Sequence, residues 1–173
     1  MEGVKELRIM LRPKVGMGFY QALPVICSLG ISDGVPGSGV AWPHGVVSAA
    51  GESVAEVRVR GGYDEEGMFA DLSADLAPET DVDVVRAALI ARVDSWAGAI
   101  SRGAAAGPLA PVLSELFDRM PLMGRQVLVT YPNGRPLMRG ALCGIDVWGR
   151  ATVRDASGRE AEFAPEQVRI LPT

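Results

Sequence analysis

Lysine is nearly missing from this chain. Of 17 basic residues among 173, only Lys5 and Lys14 are lysines, and His44 is the one histidine. Chemistry that draws on a lysine amine or a cluster of imidazoles has few residues to use. Cysteine is equally sparse. Cys27 and Cys143 stand far apart in apolar contexts without metal-type spacing, which argues against a disulfide framework and predicts two reduced, buried thiols. No uninterrupted apolar run approaches the length of about 18 residues that a membrane span needs. The opening Met-Glu-Gly-Val-Lys-Glu lacks the apolar core of an export signal, so the expected location is the cytoplasm, with no membrane partner.

A strong charge of either sign is missing too. The formal charge of −4 gives no general attraction for nucleic acid, and it is unevenly spread. Residues 1–123 carry ten basic and sixteen acidic side chains, net −6; residues 124–173 carry seven and five, net +2. A tail so weakly basic does not support nucleic-acid binding. What is present is ordinary for a globular protein: 48% apolar and 22% charged residues exclude general disorder. The length suffices for one core, or for a core with a small appended domain.

Leu7 to Leu11 reads as a short strand. Phe19 to Ile31 reads as a buried helix, with Pro24 in its first turn or at a kink. Asp33 to Gly39 is a glycine-rich loop. Val40 to Val47 is a short strand broken at Trp42-Pro43. Ser53 to Arg60 alternates, with Val57 and Val59 opposite Arg58 and Arg60. Met68 to Leu76 alternates again, with Ala70, Leu72, Ala74 and Leu76 opposite Phe69, Asp71, Ser73 and Asp75. A polar turn over Gly61–Gly67 would join the two as antiparallel strands. Thr80-Asp81-Val82-Asp83 has capping-box spacing with Asp in place of Glu. Val82, Val85, Leu89, Val93, Trp96 and Ile100 then mark an amphipathic helix ended by Gly103, and a second helix is expected from Leu109 to Met120.

After Pro121 the texture changes to five short β runs in about 50 residues, the pattern of a small closed barrel. The turns between them are Pro132-Asn133-Gly134, Asp146 to Gly149 and Ala156-Ser157-Gly158. A domain boundary is therefore expected near residues 121–124.

Three stretches carry a likeness: Ala41-Trp42-Pro43-His44-Gly45, Gly107-Pro-Leu-Ala-Pro-Val-Leu113 and Gly140-Ala-Leu-Cys-Gly-Ile-Asp146-Val-Trp-Gly149. In this order, and with these elements between them, they resemble the biotin–protein ligase family. The first is similar to its Lys-Trp-Pro-Asn-Asp motif, the second to the segment opening the last catalytic-domain helix, and the third to its C-terminal SH3-like domain. The resemblance implies an α+β chain. Residues 1–121 would form an incomplete ligase-like domain, a mixed or antiparallel sheet with packed helices. Residues 122–173 would form a small SH3-like β-barrel.

The family joins biotin to ATP as an acyl-adenylate and passes the acyl group to a lysine of an acceptor protein. Bringing a carboxylate up to a polyphosphate needs cationic and N–H donors. Of four devices the resemblance implies, none is intact here. The Gly/Arg-rich loop is expected to lie before the point where this sequence starts. The motif lysine is Ala41, and the Asn-Asp pair is His44-Gly45. The next strand, from Gly51 to Val59, has no lysine. The Gly-x-Gly-x-Asn strand matches Asp71-Leu72-Ser73-Ala74-Asp75, with both glycines replaced and the Asn now Asp. A carboxylate about 4 Å from a phosphate charge costs on the order of 4 kcal/mol at an effective dielectric near 20.

The expected function is therefore a ligase-like protein that has lost ligase activity and serves as a small-ligand-binding or protein-interaction scaffold. Biotin and ATP would be cofactors only if the family's binding were retained. The alternative is one half of a split biotin/lipoate–protein ligase whose biotin/ATP loop comes from a second chain. No catalytic residue is expected. The candidate ligand cleft is Trp42, Pro43, His44, Gly45, Asp71, Ser73 and Asp75. His44 can serve as ligand contact or base, or simply as a partly exposed loop residue. Asp71, Ser73 and Asp75 can join it in a polar or metal site, or form a solvated strand face. Trp42, Trp96 and Trp148 are expected in the core. An unpaired edge of the central sheet predicts a homo-oligomer or a partner protein lying on it.

Overall fold

A computed structural model describes residues 3–103 and 106–173. Strand β1 (Lys5–Leu11) buries Leu7 and Leu11, and a 3₁₀ turn (Met17–Ala22) then leads into α1 (Leu23–Asp33). Pro24 sits in the first turn of α1, where its missing N–H has no partner to lose. Almost every residue of α1 is buried, so this helix runs through the core instead of lying on it. The Val40–Val47 segment folds as two two-residue strands, β2 (Gly39–Val40) and β3 (Val46–Val47), which pair antiparallel around the Trp42–Pro43 loop.

Strands β4 (Ser53–Asp64) and β5 (Gly67–Leu76) form a long hairpin. Pairing continues to Asp64↔Gly67, so the turn is tighter than the polar segment Gly61–Gly67 suggested. Gly61 to Asp64 lie in the strand, where two glycines and a tyrosine did not read as one. Ala55 and Val57 of β4, with Ala70, Leu72, Ala74 and Leu76 of β5, are buried beneath the helices. The first sheet has order β1-β5-β4-β3-β2, and every pairing in it is antiparallel.

Helix α2 (Val82–Arg102) buries Val85, Leu89, Val93, Trp96 and Ile100, the stripe that the periodicity marks. Its cap is Asp81, one residue later than the capping-box reading placed it. The Asp81 carboxylate accepts from the N–H groups of Asp83 and Val84, while Thr80 is buried. Helix α1 crosses α2 closely at two glycines. A Cβ on Gly30 or Gly34 would stand 2.8 Å from the Cα of Leu89 or Val85. A 3₁₀ turn (Ala110–Val112) opens α3 (Leu113–Arg119), which is shorter than the Leu109–Met120 span; Leu116 within it and Met120 just after it are buried.

The five later strands are β6 (Gln126–Thr130), β7 (Pro136–Ile145), β8 (Ala151–Arg154), β9 (Glu160–Phe163) and β10 (Arg169–Pro172). They form a second antiparallel sheet of order β10-β6-β7-β8-β9. No pairing joins β9 to β10 among the described residues, so strand pairing does not close this sheet into a barrel. Two further expectations need correction. Trp148 lies in the exposed β7–β8 turn at 47% exposure, because the Asp146 carboxylate takes the Trp148 and Arg150 N–H groups and leaves the indole pointing out. Cys143 is only half-buried, its thiol donating to the Thr152 carbonyl at 3.4 Å, whereas Cys27 is fully buried and its thiol pKa is pushed up to about 12 by that burial. No described helix is long and apolar enough to cross a membrane.

Candidate functional site

The loop between β2 and β3 is held at three points. Ala41 N–H donates to the Gly45 carbonyl at 3.0 Å and closes its base. Gly45 N–H donates to Ser28 Oγ at 2.8 Å, and that hydroxyl donates in turn to the Pro24 carbonyl at 2.7 Å. Ser28 is a fully buried polar residue of α1, and the hydrogen bonds explain its place there. Trp42 is buried at the loop's start, and its indole N–H donates to the Gly149 carbonyl in the β7–β8 turn at 2.9 Å. The Trp42–Pro43 peptide is cis. Trp42 thus packs in the core as expected, and its one polar group is spent on the seam between the sheets.

Beyond Trp42 the loop turns outward. Pro43 and Gly45 are half-buried, and His44 is exposed. Partial desolvation of the His44 ring pushes its pKa below the ordinary imidazole value, so the ring is neutral near neutral pH. Among the described residues no group of three His, Cys, Asp or Glu side chains could hold a metal ion. His44, Asp71 and Asp75 do not converge on one.

Asp71, Ser73 and Asp75 point away from the helices, on the outer face of the first sheet. The register there arranges charge in rows across three strands. Glu6, Asp75 and Glu56 lie side by side; Arg8, Ser73 and Arg58 form the next row; Met10, Asp71 and Arg60 form the third. Like charges directly opposite are unfavourable, and contacts between rows offset this. Arg58 bonds to Asp75, the largest cause of a raised guanidinium pKa, and reaches Glu56 at 3.2 Å; Arg8 bonds to Glu6 at 2.8 Å. The arginines nearest Ser73 and Asp75 therefore serve adjacent carboxylates and do not stand ready for a phosphate. The alternation that placed Arg58 outward was sound, but nothing in a single sequence gave the rows, which depend on a register spanning β1 and β4.

Two more ion clusters lie away from this face. Arg12 pairs with Asp64 at 2.5 Å and lies 5.6 Å from the centre of the Phe69 ring. Arg92 and Arg119 tie α2 and α3 to the end of α1 through Asp33 and Glu115.

No family model matches the sequence, and no curated protein matches it. Solved structures do match. A crystal structure of the biotin protein ligase from Aquifex aeolicus aligns over 99% of this chain and 83% of its own, with TM-score 0.69 and 15% identity. A point mutant of that ligase in complex with biotin aligns over 99% of this chain and 79% of its own, again with TM-score 0.69 and 15% identity. The same ligase in complex with biotin and ATP aligns over the same shares, with TM-score 0.69 and 14% identity. The chain therefore has a biotin-protein-ligase-like α+β fold.

Proposed function

We propose that this chain is a non-catalytic relative of biotin–protein ligases that uses the fold as a binding or interaction scaffold. The observation carrying this reading is the Glu56–Arg58–Asp75 cluster. The resemblance implies a neutral, glycine-lined strand at Asp71, Ser73 and Asp75, open to biotin and nucleotide. Here that strand presents carboxylates, and the arginine beside Ser73 and Asp75, Arg58, is engaged by Asp75 and by Glu56 of its own strand. A triphosphate approaching Asp75 would meet a negative row, and releasing Arg58 to receive it would break an existing pair. Ala41 and Gly45 stand where the resemblance implies polar residues in the β2–β3 loop.

The same reading takes residues 1–121 and 122–173 as two domains of a cytoplasmic protein. The second would be an SH3-like barrel left partly open, its terminal strand β10 folding back beside β6. It also takes β1 as the edge on which a second copy or a partner protein lies. The other edge, β2, has two residues, and Gly39 is pressed against the Arg119 carbonyl and Pro121. Strand β1 runs for seven residues, with Val4 beside it and Met10 on it exposed. One of its carbonyls, that of Arg8, already accepts from Arg86 Nη1 at 3.2 Å, so a docking strand must displace that guanidinium.

Pyrophosphate release from ATP in the presence of biotin tests the reading. No release above background is expected from this chain alone. Release by the chain alone would overturn it. Release that appears only with a second polypeptide would favour the split-ligase alternative.

A further inference from the structure

One half of the seam between the two sheets is tightly closed. Trp42 bonds to Gly149, Leu109 N–H donates to the Val147 carbonyl at 3.0 Å, and a Cβ on Gly107 would meet Val147 at 2.5 Å. The other half is hollow. A slot of about 150 Å³ is walled by Val40, Trp42, Met120, Leu122, Leu142 and Ile170. It adjoins a mouth of about 410 Å³, sharing Gly51, Pro121, Leu122 and Pro172 with it. The mouth adds Gln126, Thr173 and Arg125, and Arg125 is its only charged side chain among the described residues.

We propose that slot and mouth together bind a small carboxylate that carries an apolar group of about benzene size. The size follows from the slot, because an apolar cavity of roughly 150 Å³ stays dry and accepts a molecule such as benzene. The charge follows from Arg125. Its backbone is fixed on both sides, N–H to the Leu122 carbonyl and carbonyl to the Leu142 N–H, each at 3.0 Å. Its side chain is exposed and makes no ion pair among the described residues, as is also true of Arg60 and Arg139; what sets it apart is its place at the mouth of the slot. A guanidinium is also the donor best matched to a carboxylate, which it can bind through two parallel N–H bonds. Position within the hollow is set as well. The next recess past Arg125 holds Asp118, and its Arg119 is taken by Asp33 and Glu115. An anion is thus held on the mouth side of Arg125, with its apolar end directed into the slot. A cation at the polar mouth of an apolar slot is a usual make-up of a small-molecule site. This site is separate from the β4–β5 face and does not depend on whether ligase chemistry is lost.

The test is a calorimetric and chemical-shift titration of the full chain with 3-phenylpropionate, 3-phenylpropan-1-ol and propionate. The aryl acid should bind saturably, with shifts at Leu122, Leu142 and Ile170. The alcohol and the short acid should each bind about tenfold more weakly or less well still, since one lacks the charge and the other the apolar group. Arg125→Gln should reduce the aryl acid to the affinity of the alcohol while leaving the alcohol unchanged. Leu122→Trp, at a half-buried wall position, should abolish binding of both at an unaltered thermal midpoint. Absence of saturable binding, shifts centred elsewhere, or full affinity in the Arg125→Gln variant would overturn the proposal.

Discussion

The indole N–H of Trp42 and the carbonyl of Gly149, 107 residues apart in sequence, share a buried hydrogen bond of 2.9 Å. It makes the Trp42–Pro43 loop a tie between the first sheet and the β7–β8 turn. Trp42→Phe keeps most of the ring and removes the donor, leaving the Gly149 carbonyl unpaired. The expected loss is about 1–3 kcal/mol of stability, read from denaturant titration by both fluorescence and circular dichroism. An unchanged midpoint would show that water satisfies the carbonyl and that the tie contributes nothing.

Arg92 forms two bonds to Asp33, at 2.8 and 2.9 Å, and two to Glu115, both at 2.7 Å. Burial works against charge on Asp33, yet the bonds from Arg92 and Arg119 hold its carboxyl below the ordinary value; on Glu115 the Arg92 bond is the largest cause of the same lowering. Carboxyls with depressed folded-state pKa values bind protons more readily when unfolded. Their contribution is complete above the ordinary carboxylate pKa of about 4 and is lost as pH falls through the lower folded values. Acid denaturation should therefore steepen below about pH 4. Arg92→Met should flatten that limb and lower neutral-pH stability by about 1–3 kcal/mol, the partial exposure of the cluster keeping the loss modest. A parallel acid limb in the variant would contradict the assignment.

Gly30 and Gly34 let α1 and α2 approach until a Cβ on either would sit 2.8 Å from the opposing backbone. Alanine raises helix propensity but must push the helices apart. Gly30→Ala should therefore destabilise by roughly 1–3 kcal/mol, the usual cost of overpacking. A gain in thermal midpoint would mean that the crossing relaxes freely.

His44 titrates below the ordinary imidazole range because its ring is partly desolvated. The folded chain then binds that proton less readily than the unfolded one. The stability it contributes is present above the unfolded pKa of about 6.5 and declines as pH falls. His44→Gln should remove this small decline between about pH 6.5 and 5, measured by thermal melts across that range. A wild-type profile in the variant would show that the ring is fully hydrated.

Where one periodicity governed, the chain was legible. The α2 stripe Val85–Leu89–Val93–Trp96–Ile100 and the alternation in β5 each mark a buried face directly. Elements that depend on partners distant in sequence were not. Gly61 to Asp64 became strand through pairing with β5, and Trp148 turned outward because Asp146 caps its turn. For the candidate site, the alternation placed Asp71, Ser73 and Asp75 on one face but gave no sign of the rows that Glu6, Arg8, Glu56 and Arg58 build around them. Those rows arise from cross-strand register, which one sequence does not contain. Gly45's anchor on Ser28 was hidden for the same reason.

On the proposed reading, the β4–β5 face does not accept an acyl-adenylate. The most direct test of that reading is calorimetric titration of the full chain with biotin, ATP and a non-hydrolysable biotinyl-adenylate analogue. The account predicts no binding heat with any of the three. Binding of the analogue at micromolar affinity or tighter would contradict it.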